Sequence, residues 1–404
     1  MTMTGKQLIG KLHLWLGMAS GLIVFVIAIT GCILAFEQEI KNVTQPYRFA
    51  EAPVNAKLLP PSVLKAKAEA ALPGKTANGV LYNEPGRSAD VGFYNADPEY
   101  YYVVYLNPYS GEVLKVWSED DDFFHLILHG HYYLWLPPAI GQPVVASATL
   151  IFLFMLISGM VLWWPRNKSA AKQRFSIKWD AAWRRKNYDM HNVLGFYMLA
   201  VGLMFAITGL VWGFQWFSEG LYKVTGGQGS PAYIIPPSDT TAAQLNTSIA
   251  GKVDKLWLKL RRENPTQQGI NLSFPKLPAE SIFSYVNYRP GTYYKVDYHY
   301  FDQHTLQEIN NKGPYTGKYA DAGVADKLRR MNYDLHVGAI WGLPGKILAF
   351  LASLICASLP VTGFIIWWGR RKKAKKSIKP RSASVARSHA APRPTPAYLM
   401  RNRA

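Results

Sequence analysis

HLWLGMASGLIVFVIAITG (residues 13–31) and HNVLGFYMLAVGLMFAITG (residues 191–209) are two copies of one pattern, 178 positions apart. Without a gap, His13 aligns on His191, Gly17 on Gly195, and Ala28-Ile29-Thr30-Gly31 on Ala206-Ile207-Thr208-Gly209. Internal repetition settles architecture before local structure does. Here it predicts a duplicated membrane span with an imidazole at its mouth.

Four segments, 14–36, 139–164, 193–217 and 347–368, carry no charged residue over the roughly 20 positions that a bilayer core demands of a helix. The second and fourth also match, ending Ser158-Gly159-Met160-Val161-Leu162-Trp163-Trp164 and Thr362-Gly363-Phe364-Ile365-Ile366-Trp367-Trp368. Paired Trp beside basic residues reads as an interfacial anchor. The expected fold is a membrane protein of four transmembrane α-helices in two tandem repeats, each with an α+β outer domain. By residue, the layout is 1–38 tail and span, 39–138 outer domain, 139–165 span and 166–190 basic connector, then 191–217 span, 218–335 outer domain, 336–369 span and 370–404 basic disordered tail. A mean hydropathy of −0.04 conceals this, because the spans are averaged with two long polar loops.

Lys and Arg accumulate on cytoplasmic flanks. Two precede the first span (Lys6, Lys11), eight lie between 166 and 186 and twelve follow Trp368, against Asp180 as the one acid in these stretches. The net charge of +19 therefore reports topology and speaks against a nucleic-acid surface. Both termini and the connector are expected in the cytoplasm and both long loops outside, with the tail touching anionic membrane lipid. A lipoprotein cleavage box at Ile29-Thr30-Gly31-Cys32 is the rival reading of the first span. It loses because the apolar run continues to Phe36 and the second copy has Leu210 in place of Cys32. Neither Cys32 nor Cys356 fits a metal or disulfide spacing.

Each long loop reads as a helix (61–72; 252–262) followed by strands (76–82, 91–94, 100–106 and 113–117; 270–274, 282–288, 293–301 and 306–309). Asn107-Pro108-Tyr109-Ser110-Gly111-Glu112 and Asp302-Gln303-His304-Thr305 form the turns, the second without the Pro and Gly of the first.

Of nine histidines, His13 and His191 sit at the inner mouths of spans, and His129, His131 and His336 at the outer mouths. Ionisable residues at span edges tend to face the bundle interior, where facing helices build cofactor sites. Zinc asks for a tight four-ligand cluster. Two isolated imidazoles per site suit six-coordinate haem iron instead, and without C-x-x-C-H the haem would be b-type. By depth, His13 pairs with His191, and His129 or His131 with His336, giving two haems across the bilayer. His299, His304 and the Asp120-Asp121-Asp122 run beside His125 are weaker candidates for an outer iron site.

These residues together resemble the PepSY-associated transmembrane proteins, which include iron-regulated inner-membrane proteins and siderophore-linked ferric reductases. The resemblance covers 6–371. It rests on Lys11-Leu12-His13, Thr30-Gly31, Leu128-His129-Gly130, His191, Leu335-His336, Leu343-Pro344-Gly345-Lys346, Thr362-Gly363 and Trp367-Trp368, with Asn107 to Glu112 similar to the PepSY turn. It implies an oxidoreductase of the bacterial inner membrane that passes electrons to ferric iron, often siderophore-bound, in the periplasm. His13, His129, His191 and His336 are the implied axial ligands, with His131 a second candidate beside His129. No G-x-G-x-x-G fingerprint is present, so a separate donor, a quinol or a reductase, would supply the electrons. The competing readings are a non-redox, partner-binding scaffold and a permease for iron, haem or chelate. Against transport, Pro360 is the one broken-helix signal and no carboxylate lies within the spans.

Overall fold

The computed structural model describes residues 3–54, 56–165, 167, 171, 174–242 and 249–378. The tail from 379 onward and much of the connector between 166 and 173 lie outside the described residues. In chain order the helices are α1 (Gly5–Leu34), α2 (Glu37–Thr44), α3 (Pro61–Ala71), α4 (Phe123–Tyr133), α5 (Pro138–Trp163) and α6 (Trp183–Tyr197). They continue as α7 (Leu199–Gly213), α8 (Gln215–Val224), α9 (Ile249–Glu263), α10 (Val324–His336) and α11 (Leu343–Ile378).

Three of these, α1, α5 and α11, are long and apolar enough to cross a membrane. The fourth expected span is not one straight helix: α6 and α7 are bent by 63°. The break falls at Met198, whose amide N–H reaches the Leu194 carbonyl at 3.0 Å to close α6, after which the chain restarts at Leu199. The bend sends α6 against α11 and α7 against α5, while α1 packs on both α11 and α5. Small residues at the centre (Ala28, Ala206, Cys356, Ala357) let these helices approach closely around Leu156 and Met198.

Expected and observed outer elements agree closely, but the two loops do not build separate sheets. Strands β1 (Gly79–Tyr82), β2 (Ala89–Ala96), β3 (Glu99–Leu106), β4 (Val113–Ser118), β5 (Gly269–Ser273), β6 (Ile282–Asn287) and β7 (Val296–Phe301) form one antiparallel sheet, ordered β4-β3-β2-β1-β5-β6-β7. The seam is β1 against β5, with Val80 opposite Leu272. Gly79 permits it, because a Cβ there would lie 2.7 Å from the Leu272 carbonyl oxygen. Helices α3 and α9 cover one face, burying Leu64, Ala68, Val253, Leu256, Trp257 and Leu260 against Val80, Val91, Phe93, Ile270 and Leu272. Ser62 links the two helices: its amide and hydroxyl donate to the two carboxylate oxygens of Asp254 at 2.9 and 2.6 Å.

The first turn closes as its chemistry predicts, with Gly111 at φ 71° and its N–H on the Asn107 carbonyl at 2.8 Å. In the second turn Leu306 takes the positive φ, 63°, where the first loop has glycine. Asp302 makes that tolerable by accepting from the amides of His304 and Thr305 at 2.9 and 2.8 Å. The strand expected at 306–309 reduces to a single bridge, Phe301 to Glu308.

On β2, Asp90 accepts from Asn83 at 2.9 Å and Ser88 at 2.7 Å, yet burial pushes its carboxyl up to about 6. A raised carboxyl pKa means that folding favours the protonated form. Stability is lost as pH rises from the unfolded value, near 4, through 6, and stays lower above that. Asp90→Asn is therefore expected to raise the melting temperature by a few degrees at pH 7.5 and to leave it nearly unchanged at pH 4. Equal shifts at both pH values would contradict the assignment.

Candidate functional site

One short motif recurs in all four long apolar segments: Thr30-Gly31 in α1, Ser158-Gly159 in α5, Thr208-Gly209 in α7 and Thr362-Gly363 in α11. Each receives one histidine ring. His131 Nδ1 lies 3.0 Å from Thr30 Oγ1, His13 Nδ1 2.8 Å from Ser158 Oγ, His336 Nδ1 2.7 Å from Thr208 Oγ1 and His191 Nδ1 2.9 Å from Thr362 Oγ1. The glycine beside each hydroxyl lies against the ring, tightly at Gly31 and Gly363 and at ordinary contact distance at Gly159 and Gly209. A Cβ would stand 3.3 Å from His131 Cε1 at Gly31, 3.4 Å from His13 Cε1 at Gly159, 3.7 Å from His336 Cε1 at Gly209 and 3.3 Å from His191 Cε1 at Gly363.

The direction of these four hydrogen bonds follows from counting protons. A hydroxyl has one hydrogen. Each of these spends it on its own helix: Thr30 on the Val26 carbonyl (2.8 Å), Thr208 on Met204 (2.6 Å), Thr362 on Ser358 (2.9 Å) and Ser158 on Met155 (3.2 Å). With its hydrogen on that carbonyl, each oxygen accepts from the imidazole, the arrangement in which Nδ1 carries the proton. In the neutral ring the lone pair is then on Nε2, the tautomer that binds a metal.

The docking is reciprocal within each half of the chain and the facing is between halves. His13 docks on α5 and His131 on α1; His191 docks on α11 and His336 on α7. The rings of His131 and His336 then stand with centroids 6.2 Å apart and planes at 71°. Trp212 and Phe205 flank His336 at 5.3 and 5.7 Å. At the end remote from the sheet, His13 and His191 line one cavity of about 450 Å³, together with Gly17, Gly21, Gly195 and Phe152. The 17 residues of helix from His13 to Thr30 set these two tiers about 25 Å apart.

His129 is not in either pair. The sequence carried it as an axial ligand, but its ring faces Tyr133 at 5.1 Å, and the residue brought opposite His336 is His131. Sequence reading placed both histidines just before a span. Here they belong to a separate helix, α4, whose end is marked by Leu134 and Trp135 at φ 55° and 58°. Ion pairs seat that helix: Asp122, at its N-cap, bonds Lys41 at 2.6 Å, and Lys41 also bonds Glu37 at 2.7 Å.

A second repeat went unread in the sequence. Asn187-Tyr188-Asp189-Met190-His191 and Asn332-Tyr333-Asp334-Leu335-His336 are nearly identical. One helical turn before each histidine, the Asn donates to the carbonyl of the threonine that holds the ring, Asn187 to Thr362 at 3.0 Å and Asn332 to Thr208 at 3.2 Å. The buried Asp between them ties down neighbouring chain. Asp189 accepts from Arg185 at 2.9 Å, and Asp334 from the Tyr293 amide at 3.1 Å.

The remaining candidate histidines are each engaged by local structure through one ring nitrogen, and His299 Nε2 is buried without a hydrogen-bond partner among the described residues. His125 Nδ1 bonds the Glu119 carbonyl at 2.8 Å, His299 pairs with Glu308 at 2.7 Å, and His304 Nε2 reaches the Pro278 carbonyl at 2.9 Å. Among the described residues no three of His, Cys, Asp and Glu converge on a metal position. Cys32 and Cys356 are buried free thiols.

No curated protein sequence matches this chain. The family described as the PepSY-associated TM region matches it over residues 11–370, from two residues before the first docked histidine to the arginine beyond the last tryptophan pair, and the chain belongs to that family.

Proposed function

We propose that this is a bacterial inner-membrane oxidoreductase of four spans in two tandem repeats, bearing two b-type haems. It takes electrons from a cytoplasmic-side donor and reduces ferric iron, held by a siderophore or other chelate, on the periplasmic side. One observation carries the reading: four histidines each dock Nδ1 on a span hydroxyl, His131 facing His336 and His13 lining one cavity with His191. The pairing of His131 with His336 has the right scale. Two metal–imidazole bonds of about 2 Å each, with the half-widths of two rings, span about 6 Å. His13 and His191 line a mostly apolar cavity of about 450 Å³, the kind of space a macrocycle occupies.

When bound, haem would supply one-electron redox chemistry. The chain's contribution is to hold and tune. His13 with His191 and His131 with His336 would be the axial ligands, and the hydroxyl at each Nδ1 fixes ring orientation and basicity. The basic flanks support a cytoplasmic location for the His13 end, with the sheet and the His131–His336 tier toward the periplasmic side, where the ferric substrate would be reduced. Reduction to Fe(II) weakens the hold of hard oxygen ligands and releases the metal for import.

The test is the absorption spectrum of detergent-purified protein, air-oxidised and then dithionite-reduced, with a pyridine haemochrome assay for stoichiometry. The expected result is a low-spin b-type spectrum, two haems per chain, reoxidised by a ferric chelate. Protein that stays colourless after expression with haem supplied would sink this reading and favour a partner-binding scaffold.

A further inference from the structure

The Asn-Tyr-Asp-x-His repeat puts a tyrosine three residues before each of two docked histidines. Tyr188 lines the cavity of His13 and His191. Tyr333, its counterpart, stands at the other tier, its ring 6.3 Å from Trp212, which lies 5.3 Å from His336. The two copies differ in what the neighbouring Asp holds. Asp189 pairs with Arg185 on its own helix, whereas both carboxylate oxygens of Asp334 accept from the Tyr293 amide, each at 3.1 Å. Tyr293 belongs to the loop 288–295, YRPGTYYK, which joins β6 to β7. The outer sheet is thus tied to the histidine motif at this loop.

The loop is held in one shape. Gly291 takes φ 73°, the Thr292 hydroxyl donates to the Arg289 carbonyl at 2.9 Å, and Asn287 donates to the Thr292 carbonyl at 3.0 Å. Tyr293 then sets its ring edge-on against Tyr333, with centroids 4.9 Å apart and planes at 85°, and stays 51% exposed. His336, Trp212, Tyr333 and Tyr293 form a continuous run of rings from the tier to the surface. On either side of Tyr293, Arg289 and Lys295 are exposed, and among the described residues neither makes an ion pair; Arg289 donates to the Tyr294 hydroxyl at 3.4 Å. An exposed ring between two cations without a carboxylate partner fits an anion that carries aromatic groups.

We propose that the loop 289–295 is where the ferric chelate docks, and that it takes a chelate of catecholate type, an anion whose iron-binding arms are themselves aromatic. The proposal rests on the reductase reading above and names its substrate class. Arg289 and Lys295 meet the charge, and Tyr293 gives a catechol ring a surface to pack on. A hydroxamate complex, uncharged and without rings in its iron-binding arms, gains neither contact. The redox step is unchanged: one electron from the cytoplasmic-side donor reduces the chelated Fe(III) to Fe(II), and no bond to the chain forms. Tyr333 and Tyr293 fill the gap between tier and chelate without gaining or losing an electron.

The test uses the full-length protein in nanodiscs of zwitterionic lipid and two redox-inert probes, the Ga(III) complexes of a tris-catecholate and of a tris-hydroxamate, with affinity read by calorimetry. Haem content is measured separately on the same preparations. The tris-catecholate complex should bind the parent at least tenfold more tightly than the tris-hydroxamate. Arg289→Gln combined with Lys295→Gln should weaken it about tenfold at low salt and by less at high salt. Tyr293→Ala should weaken it about fivefold, and Tyr293→Phe, which keeps the ring, should bind as the parent does. These side chains are exposed, and melting temperatures equal to the parent's establish that the variants fold. Parent affinity in both the charge variant and Tyr293→Ala, equal affinity for the two probes, or a parent that binds neither overturns the docking site, while two haems per chain leave the reductase reading standing. Colourless protein that still binds the tris-catecholate through these residues removes the reductase reading and keeps the loop as a chelate-binding site.

Discussion

Alanine at His131 or at His336 is expected to halve the haem content, from two per chain to one, while alanine at His129 leaves two. The contrast is sharp because the competing histidines are only two positions apart. In a helix a step of two turns a side chain by about 200°, so His129 and His131 cannot face the same partner. His131 looks toward His336, with Thr30 behind it, whereas His129 rests against Tyr133. Removing an axial ligand also leaves the opposite imidazole on a five-coordinate iron, so the remaining spectrum should gain a high-spin component wherever haem is retained. The measurement is the haemochrome stoichiometry of the three variants alongside their reduced spectra. Haem lost with His129→Ala and kept with His131→Ala would reverse the assignment of the outer ligand.

The choice between those two histidines was hidden in the sequence for a physical reason. Both precede an apolar run, and nothing in Leu128-His129-Gly130-His131 says that α4 ends at Tyr133 and that the crossing helix restarts at Pro138. By contrast, His13 and His191 were legible because their segments recur, and His336 because no second histidine competes beside it, although it too ends a separate helix, α10, before α11 begins at Leu343. The hydroxyl partners were legible in principle. A Ser-Gly or Thr-Gly dipeptide stands in each of the four apolar segments, and a hydroxyl beside a glycine in a span is a place where another helix can dock a polar ring. The Asn-Tyr-Asp-x-His repeat was equally readable, but its spacing of 145 differs from the 178 of the spans, and one period masks another.

Outer-loop strands were legible from alternation and turn chemistry, yet their union was not. The seam joins Val80 to Leu272 across nearly 200 residues, and long-range pairing of that kind leaves no local trace. Its consequence is mechanical. With β1 bonded to β5 and Ser62 to Asp254, the two halves share one core above the bundle, so the histidines that meet across the halves are held in register from outside it as well as by the bundle packing. The bend at Met198 is invisible in hydropathy for a related reason: 193–217 is uniformly apolar, and hydropathy records whether a segment tolerates lipid, not whether it is straight.

Valine at Thr30, Thr208 or Thr362 tests what the hydroxyls do, and the expected effect is a loss of haem affinity at the tier concerned by about tenfold to a hundredfold, the range seen when a partner behind a metal-binding histidine is removed. Valine keeps the branched shape of threonine and deletes the acceptor. The Nδ1–H then loses its hydroxyl acceptor; backbone carbonyls of Ile27 and Leu359 stay within reach of His131 and His191, so the loss, about 1–3 kcal/mol for an unpaired N–H, is expected to be largest at His336, where the ring is free to take the other tautomer, which withdraws the Nε2 lone pair. Serine at the same positions restores the oxygen with a smaller side chain and should recover most of the affinity. Ser158 is the natural instance of that state, so Ser158→Thr should be tolerated where Ser158→Ala is not. Affinity is read by titrating apoprotein with haem, and ligand basicity by the midpoint potential of each tier. Packing alone would make serine, the smaller residue, as damaging as valine or more so. Recovery by serine, with a potential that shifts in the valine variants and returns in the serine ones, assigns the effect to the hydrogen bond.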